Sequence, residues 1–243
     1  MAQKSIVYCG KNIDISYEIV NPSAKIDFVV LHGWGSNKNL MKQFFSSYMK
    51  GFRHIYIDLP GFGNSTACCA MQTKDVADIV RIFLQEIAAS SDIVLGHSFG
   101  GKVALLLEPK LLVLVASAGI YVPKSFTIKT KIAAFKLLKL FGLSKFRSLF
   151  VADDAKELSE DMYTTFKNVV NEDFTQEFAS FSGKALLFWG REDSATPLSS
   201  AQKIHSLIKN SELYVYDGDH YFFMKNAQDI ATKIEKTFLT LGE

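Results

Sequence analysis

Gly96-His97-Ser98-Phe99-Gly100-Gly101 joins a short apolar run, Asp92–Leu95, to a helical stretch, Ser98–Glu108, that Pro109 ends. The spacing is G-x-S-x-G, and its flanks give it meaning. A strand that reverses sharply into a helix leaves the serine in a strained backbone at the top of a sheet. Glycines on either side let strand and helix approach without a Cβ clash. The hydroxyl then stands beside the positive end of a helix. The backbone N–H of Phe99 points at an oxygen that becomes an anion during acyl transfer. Ser98 is therefore the candidate nucleophile.

The same letters read a second way. Gly96 to Lys102 also fits G-x-x-x-x-G-K, the body of a phosphate-binding loop. That loop needs Ser or Thr next to hold magnesium, and here Val103 follows. No acidic residue directly follows the next apolar run, Leu111–Ala116, so the nucleotide reading fails on both sides.

Working outward, the chain alternates strand-like and helical patterns. Residues 5–8 and 13–20 flank Gly10-Lys11-Asn12 as a hairpin. Ile26–Leu31 and His54–Asp58 are apolar runs of strand length. They end in His32-Gly33-Trp34-Gly35-Ser36 and in Pro60-Gly61-Phe62-Gly63. Thr73–Ala88 places Val76, Ile79, Val80, Phe83, Leu84 and Ile87 on one helical face. Strand character returns at Ala185–Trp189 and Leu213–Tyr216, each followed by a helical pattern, 198–209 and 226–241. Buried strands alternating with helices predict a mostly parallel sheet covered on both faces. Residues 121–182 differ in texture, being mostly helical and rich in Lys, Phe and Leu. They read as a helical cap inserted into a core formed by residues 1–120 and 183–243.

A serine needs a base. Two histidines follow Ser98. His205 falls inside the 198–209 helical pattern, whereas His220 lies in Asp217-Gly218-Asp219-His220, just after a strand. Loops after strands collect catalytic groups in such sheets, so His220 is the candidate base. The acid belongs in Gly190-Arg191-Glu192-Asp193-Ser194-Ala195-Thr196-Pro197, after Ala185–Trp189. Spacing alone admits Glu192 and Asp193 equally. His32-Gly33-Trp34-Gly35 offers the Trp34 backbone N–H as a second oxyanion donor.

With these residues in hand, the sequence resembles the α/β-hydrolase superfamily across nearly its whole length. The likeness rests on Leu31-His32-Gly33-Trp34-Gly35, Asp58-Leu59-Pro60-Gly61-Phe62-Gly63-Asn64-Ser65, Gly96 to Gly101, Trp189-Gly190-Arg191-Glu192-Asp193 with Pro197, and Gly218-Asp219-His220. The resemblance implies an α/β-hydrolase fold with a helical cap and a catalytic triad of Ser98, Asp193 and His220. It places the acid at Asp193, four residues before the proline, and the oxyanion donors at Trp34 and Phe99. It implies a serine esterase that uses no cofactor and no metal. Within the superfamily the chain is similar to small capped carboxylesterases, to C–C bond hydrolases of ring-fission products, and to pimeloyl-carrier methyl esterases. Two departures stand out. Only Glu108-Pro109-Lys110 link the nucleophile helix to the next strand, so that helix is short. The histidine loop, Asp217 to Phe223, is unusually acidic.

Composition sets the remaining bounds. The 243 residues carry a net charge of +2, which gives no global reason to expect nucleic acid or a membrane surface. No apolar run is long enough for a transmembrane helix, and the N-terminus lacks a signal-peptide core. The expectation is a cytoplasmic protein acting on a small-molecule ester. Cys9, Cys68 and Cys69 form no disulfide framework and are expected as reduced thiols. Between Tyr121 and Ala152 there are seven basic residues and no acid. Lys129 and Lys136 share a helix face with Lys139 beside them. The plain reading is a solvated face; the sharper one is a docking surface for an anionic or carrier-linked acyl substrate.

Overall fold

The computed structural model describes residues 2–121 and 159–241. The strands are β1 (Ala2–Tyr8), β2 (Lys11–Val20), β3 (Ile26–Leu31), β4 (Phe52–Ile57), β5 (Ile93–His97), β6 (Leu111–Val115), β7 (Lys184–Gly190) and β8 (Ser211–Tyr216). The described helices are α1 (Lys38–Phe45), α2 (Thr73–Glu86), α3 (Phe99–Leu106), α4 (Glu160–Val170), α5 (Thr175–Ser180), α6 (Leu198–Leu207) and α7 (Phe223–Thr240). The strands form one sheet in the order β1-β2-β4-β3-β5-β6-β7-β8. The β1–β2 hairpin and the β2–β4 pair are antiparallel and the other pairs are parallel. This is an α/β-hydrolase fold.

The apolar runs are long because both faces of the sheet are covered. Every residue of β5 and β6 is buried. On one face, Val76, Val80 and Phe83 of α2 pack with Val103 of α3 and Ile204 of α6 against Val29, Val94, Leu112 and Leu187. On the other, Met41 and Phe45 of α1 pack with Phe223, Ile230 and Ile234 of α7 against Val30, Leu95, Val113 and Phe188. Fully burying a Val, Leu, Ile or Phe side chain contributes about 1.5–3 kcal/mol. The register aligns the strand ends. Leu31 pairs with Gly96, His97 with Val115, Val115 with Phe188, and Gly190 with Tyr216. The loops after these strands therefore leave one edge of the sheet together.

The structure moves some boundaries. Strand β1 starts at Ala2 rather than residue 5. Helix α2 stops at Glu86, and Ala88 follows with a left-handed φ of 49°. Helix α7 starts at Phe223, three residues before its apolar pattern. Helix α1, not among the elements predicted above, has Asn37 as its cap and Leu40, Met41, Phe44 and Phe45 at helical spacing, with Lys38 buried at its first position. Between β6 and β7 lie α4 and α5. Residues 122–158, which carry Lys129, Lys136 and Lys139, fall outside the described residues. Among the described residues, no helix is long and apolar enough to cross a membrane.

Candidate active site

The turn between β5 and α3 is as sharp as the glycines suggest. Ser98 sits at φ 52°, ψ −115°, a conformation that costs a non-glycine residue on the order of 1–3 kcal/mol. The surroundings hold it. Ser98 N–H donates to the Val115 carbonyl at 3.0 Å, and its own carbonyl accepts from Gly101 and Ala118, each at 3.0 Å. A Cβ on Gly96 would lie 2.2 Å from the Gly100 carbonyl oxygen, and one on Gly100 would lie 2.5 Å from that of His32. Only glycine fits at either position.

The loop after β3 lies against this turn. A Cβ on Gly33 would stand 2.9 Å from His97 Nδ1 and 3.1 Å from Ser98 Cβ. His32 fixes the loop. Its Nε2 accepts the Leu59 N–H at 3.0 Å, so its proton is on Nδ1, which donates to the Gly33 carbonyl at 2.7 Å. The Trp34 ring packs edge-on to Phe62 and Phe99 and tilts against Phe166 of α4. The backbone N–H groups of Trp34 and Phe99 donate to no loop or turn acceptor among the described residues. Phe99 directly follows Ser98, and Trp34 directly follows Gly33, which packs against the Ser98 turn.

The loop after β4 is anchored from below. Asp58 is buried and accepts from Lys38 N at 2.7 Å, Lys38 Nζ at 2.6 Å and Asn64 N at 3.0 Å. Burial pushes the Asp58 carboxyl up, but these donors outweigh it and hold the carboxyl below its ordinary value. Lys38 Nζ also reaches Ser16 Oγ at 2.9 Å.

The two carboxylates that spacing left equal point to different partners. Asp193 Oδ2 lies 2.8 Å from His220 Nδ1. Its Oδ1 accepts from the N–H groups of Ala195 and Thr196, each at 2.9 Å. The next polypeptide helix, α6, starts only at Leu198, so Asp193 shapes the loop rather than capping that helix. Burial raises the Asp193 carboxyl, yet the hydrogen bonds from His220 and Thr196 overcome this and hold it below its usual range. Glu192 turns away, and its Oε2 accepts the Gly218 N–H at 2.7 Å. It thereby stitches the β7 loop to the histidine loop. Gly190 is part of the same seam, because a Cβ there would lie 2.3 Å from the Asp219 carbonyl oxygen. His205 sits on α6 with its Nδ1 2.8 Å from Ser211 Oγ, at the surface.

No hydrogen bond joins Ser98 Oγ to His220 among the described residues. The two are neighbours through His97, whose Nε2–H donates to the His220 carbonyl at 3.2 Å and whose ring lies 4.7 Å from the His220 ring. His97 is buried, and its Nδ1 has no hydrogen-bond partner among the described residues. Burial, followed by repulsion from His220, pushes its pKa down to about 3. Sequence reasoning missed His97, since the motif leaves that position free. It also missed Thr196. The Thr196 Oγ lies 2.9 Å from Asp193 Oδ2 and 3.1 Å from the Ala116 carbonyl, tying the acid to the end of β6.

Lys102, the residue that completed the phosphate-loop letters, is buried. Its Nζ donates to the Val169 carbonyl at 2.5 Å and to Glu172 Oε2 at 2.9 Å. It also lies over the Phe174 ring. It ties α3 to the C-terminal end of α4, where unpaired helix carbonyls favour a cation. Among the described residues, no three His, Cys, Asp or Glu side chains gather to hold a metal ion.

The buried histidines give a prediction for acid stability. Burial pushes the His32 pKa down to about 4. The unfolded chain takes up this proton near pH 6.5, while the folded protein resists it down to about pH 4, so stability falls as pH drops through that window. The carboxylates Asp58 and Asp193 lose their contribution only at lower pH, because their folded values are depressed. From pH 7 to 4.5, the unfolding free energy in urea is expected to drop by roughly 2–3 kcal/mol from His32 alone. A flat profile across that range would contradict the buried, neutral assignment.

Comparison with known proteins agrees with this fold. Residues 28–233 match the model of the alpha/beta hydrolase family. A pimeloyl-[acyl-carrier protein] methyl ester esterase from Vibrio atlanticus is 26% identical, over 86% of this chain and 92% of its own length. A 2-hydroxy-6-oxononadienedioate/2-hydroxy-6-oxononatrienedioate hydrolase from Pseudomonas putida is 25% identical, covering 87% of each chain. Among solved structures, an esterase from Exiguobacterium antarcticum superposes with a TM-score of 0.72 at 20% identity, covering 93% of this chain and 96% of its own.

Proposed function

The chain belongs to the alpha/beta hydrolase family, and from that membership we propose a serine hydrolase that cleaves carboxylic esters through an acyl-enzyme on Ser98. The observation that carries this reading is the Asp193–His220 hydrogen bond at 2.8 Å, set beside the strained Ser98 turn. With its Nδ1–H given to Asp193, His220 keeps a bare Nε2 as the base. Ser98 Oγ attacks the ester carbonyl as His220 takes its proton. The Trp34 and Phe99 N–H groups receive the oxyanion. His220 then protonates the leaving alcohol and activates the water that releases the acid. Asp193 holds the imidazole and steadies its positive form.

Residues 121–182 act as a cap over this site in the proposal, entered from β6 and left at β7. A methyl ester on a carrier-linked acyl chain is the finer candidate substrate, supported by the Vibrio relative. Docking of the carrier falls to Lys129, Lys136 and Lys139, which lie outside the described residues. Cleavage of a C–C bond beside a ketone is the second reading, supported by the Pseudomonas relative and served by the same three side chains. Three free thiols suit the cytoplasm.

The test is covalent labelling followed by a substrate panel. A fluorophosphonate probe is expected to modify Ser98 and no other serine, as read by peptide mass spectrometry. Labelling elsewhere, or none, would overturn the mechanism. The panel sets p-nitrophenyl esters of increasing chain length beside a carrier-linked methyl ester and a ring-fission keto acid. Faster turnover of the keto acid than of every ester would replace the first reading by the second.

A further inference from the structure

Cys68 and Cys69 are neighbours in the irregular stretch between Thr66 and α2, and their Sγ atoms lie 3.2 Å apart. Both are free thiols, half-buried against the core on that face. The backbone around them is unlocked. The N–H groups of Ala67, Cys68, Cys69 and Ala70 donate no hydrogen bond among the described residues. The stretch is pinned at its ends, by Thr66 N to the Asp14 carbonyl at 2.9 Å and by Met71 N to Thr165 Oγ1 at 2.9 Å, and between them by one side-chain contact to the Cys68 carbonyl. The peptide joining the two cysteines can therefore rotate without breaking a backbone hydrogen bond, giving up only the exposed Lys11 contact to its carbonyl. Lys11 supplies a positive charge nearby, its Nζ donating to the Cys68 carbonyl at 3.0 Å.

We propose that Cys68 and Cys69 form a vicinal dithiol that hydroperoxides oxidise reversibly to an eight-membered cyclic disulfide. Burial and the contact with Cys68 push the Cys69 thiol up, so it keeps its proton and acts second. The Cys68 sulfur attacks the peroxide, the O–O bond breaks, and one oxygen stays on sulfur as a sulfenic acid while the other leaves as alcohol or water. The Cys69 sulfur then bonds to the Cys68 sulfur. The sulfenic oxygen departs as water, carrying the Cys69 proton. Two thiols lose two electrons in total, and the hydroperoxide gains them. Adjacent Cα atoms across a trans peptide lie about 3.8 Å apart, below the usual disulfide range of roughly 4.4–6.8 Å. The ring is accordingly strained and easily reduced by cellular thiols, as suits a transient mark rather than a structural crosslink.

The test uses the whole protein, treated with hydrogen peroxide, alkylated under denaturing conditions and digested with trypsin. The peptide His54–Lys74 contains Cys68 and Cys69 and no other cysteine. It is expected unalkylated and about 2 Da lighter than its reduced form, with both thiols recovered after incubation with reduced glutathione. Cys69→Ser is expected to abolish the lighter peptide and leave Cys68 over-oxidised. The proposal is overturned if the wild-type peptide stays fully alkylated, gains oxygen on Cys68 or Cys69 (fragment ions separate this from sulfoxide at Met71), or is found crosslinked to Cys9.

Discussion

Ser98→Ala is expected to lower kcat for short p-nitrophenyl esters by a factor on the order of 10⁶, with little change in thermal unfolding. The two halves of that expectation have separate causes. The proposed attack needs the Oγ atom, and among the described residues no neighbouring hydroxyl stands on a turn of this kind. The backbone, in contrast, gains nothing from that atom. Val115, Gly101 and Ala118 hold residue 98 entirely through main-chain groups, and alanine meets the same left-handed strain as serine. A residual rate above that of water is also expected, from the Trp34 and Phe99 donors and from binding. Steady-state kinetics beside a melting curve checks both halves. A variant that keeps more than a tenth of the activity would place the nucleophile elsewhere.

Asp193→Asn is expected to cost about 10⁴ in kcat while leaving substrate binding nearly intact. The carboxylate accepts the His220 Nδ1 proton, which fixes the tautomer with a bare Nε2. An asparagine amide turned to donate there would move the proton to Nε2, and the base would be lost. The variant keeps the shape of the loop, because its side-chain oxygen can still accept from Ala195 and Thr196. Glu192→Gln is the matched control. Its oxygen still accepts from Gly218, and it never reaches His220, so its kcat is expected to stay within a few-fold of wild type. A large loss in the control and a small one in Asp193→Asn would reverse the assignment. The pair of variants separates two adjacent carboxylates that spacing cannot.

The difference between those two residues shows where sequence reading runs out. Both follow β7, and both are acids at the right distance from a strand end. They diverge because consecutive side chains leave the chain in different directions, and only the folded loop says which direction holds the histidine. The strands were legible because a sheet covered on both faces demands unbroken apolar runs, as in Leu111–Val115. Helix α1 was legible only in part: Leu40, Met41, Phe44 and Phe45 keep helical spacing, but the buried Lys38 depends on Asp58, a partner twenty residues away in sequence. His97 and Thr196 were invisible for a related reason. Each matters through a contact with a backbone carbonyl or carboxylate brought near by the fold, and neither belongs to a spacing that a motif constrains.

The lysine that first suggested a phosphate loop has a consequence for inheritance. Lys102 and Glu172 lie in different helices and loops, yet they are one electrostatic unit. Loss of Glu172 alone would strand the buried Lys102 charge and cost about 3–5 kcal/mol, whereas Glu172 is part-exposed and keeps the Thr73 N–H as a donor if Lys102 is lost. Loss of both, with apolar residues of similar volume in their place, would cost far less. Substitution of Glu172 ahead of Lys102 is therefore the disfavoured order, and a lineage leaves this pairing by changing Lys102 first or both sites nearly at once. Across relatives, positions 102 and 172 should travel together, although neither residue takes part in the proposed chemistry.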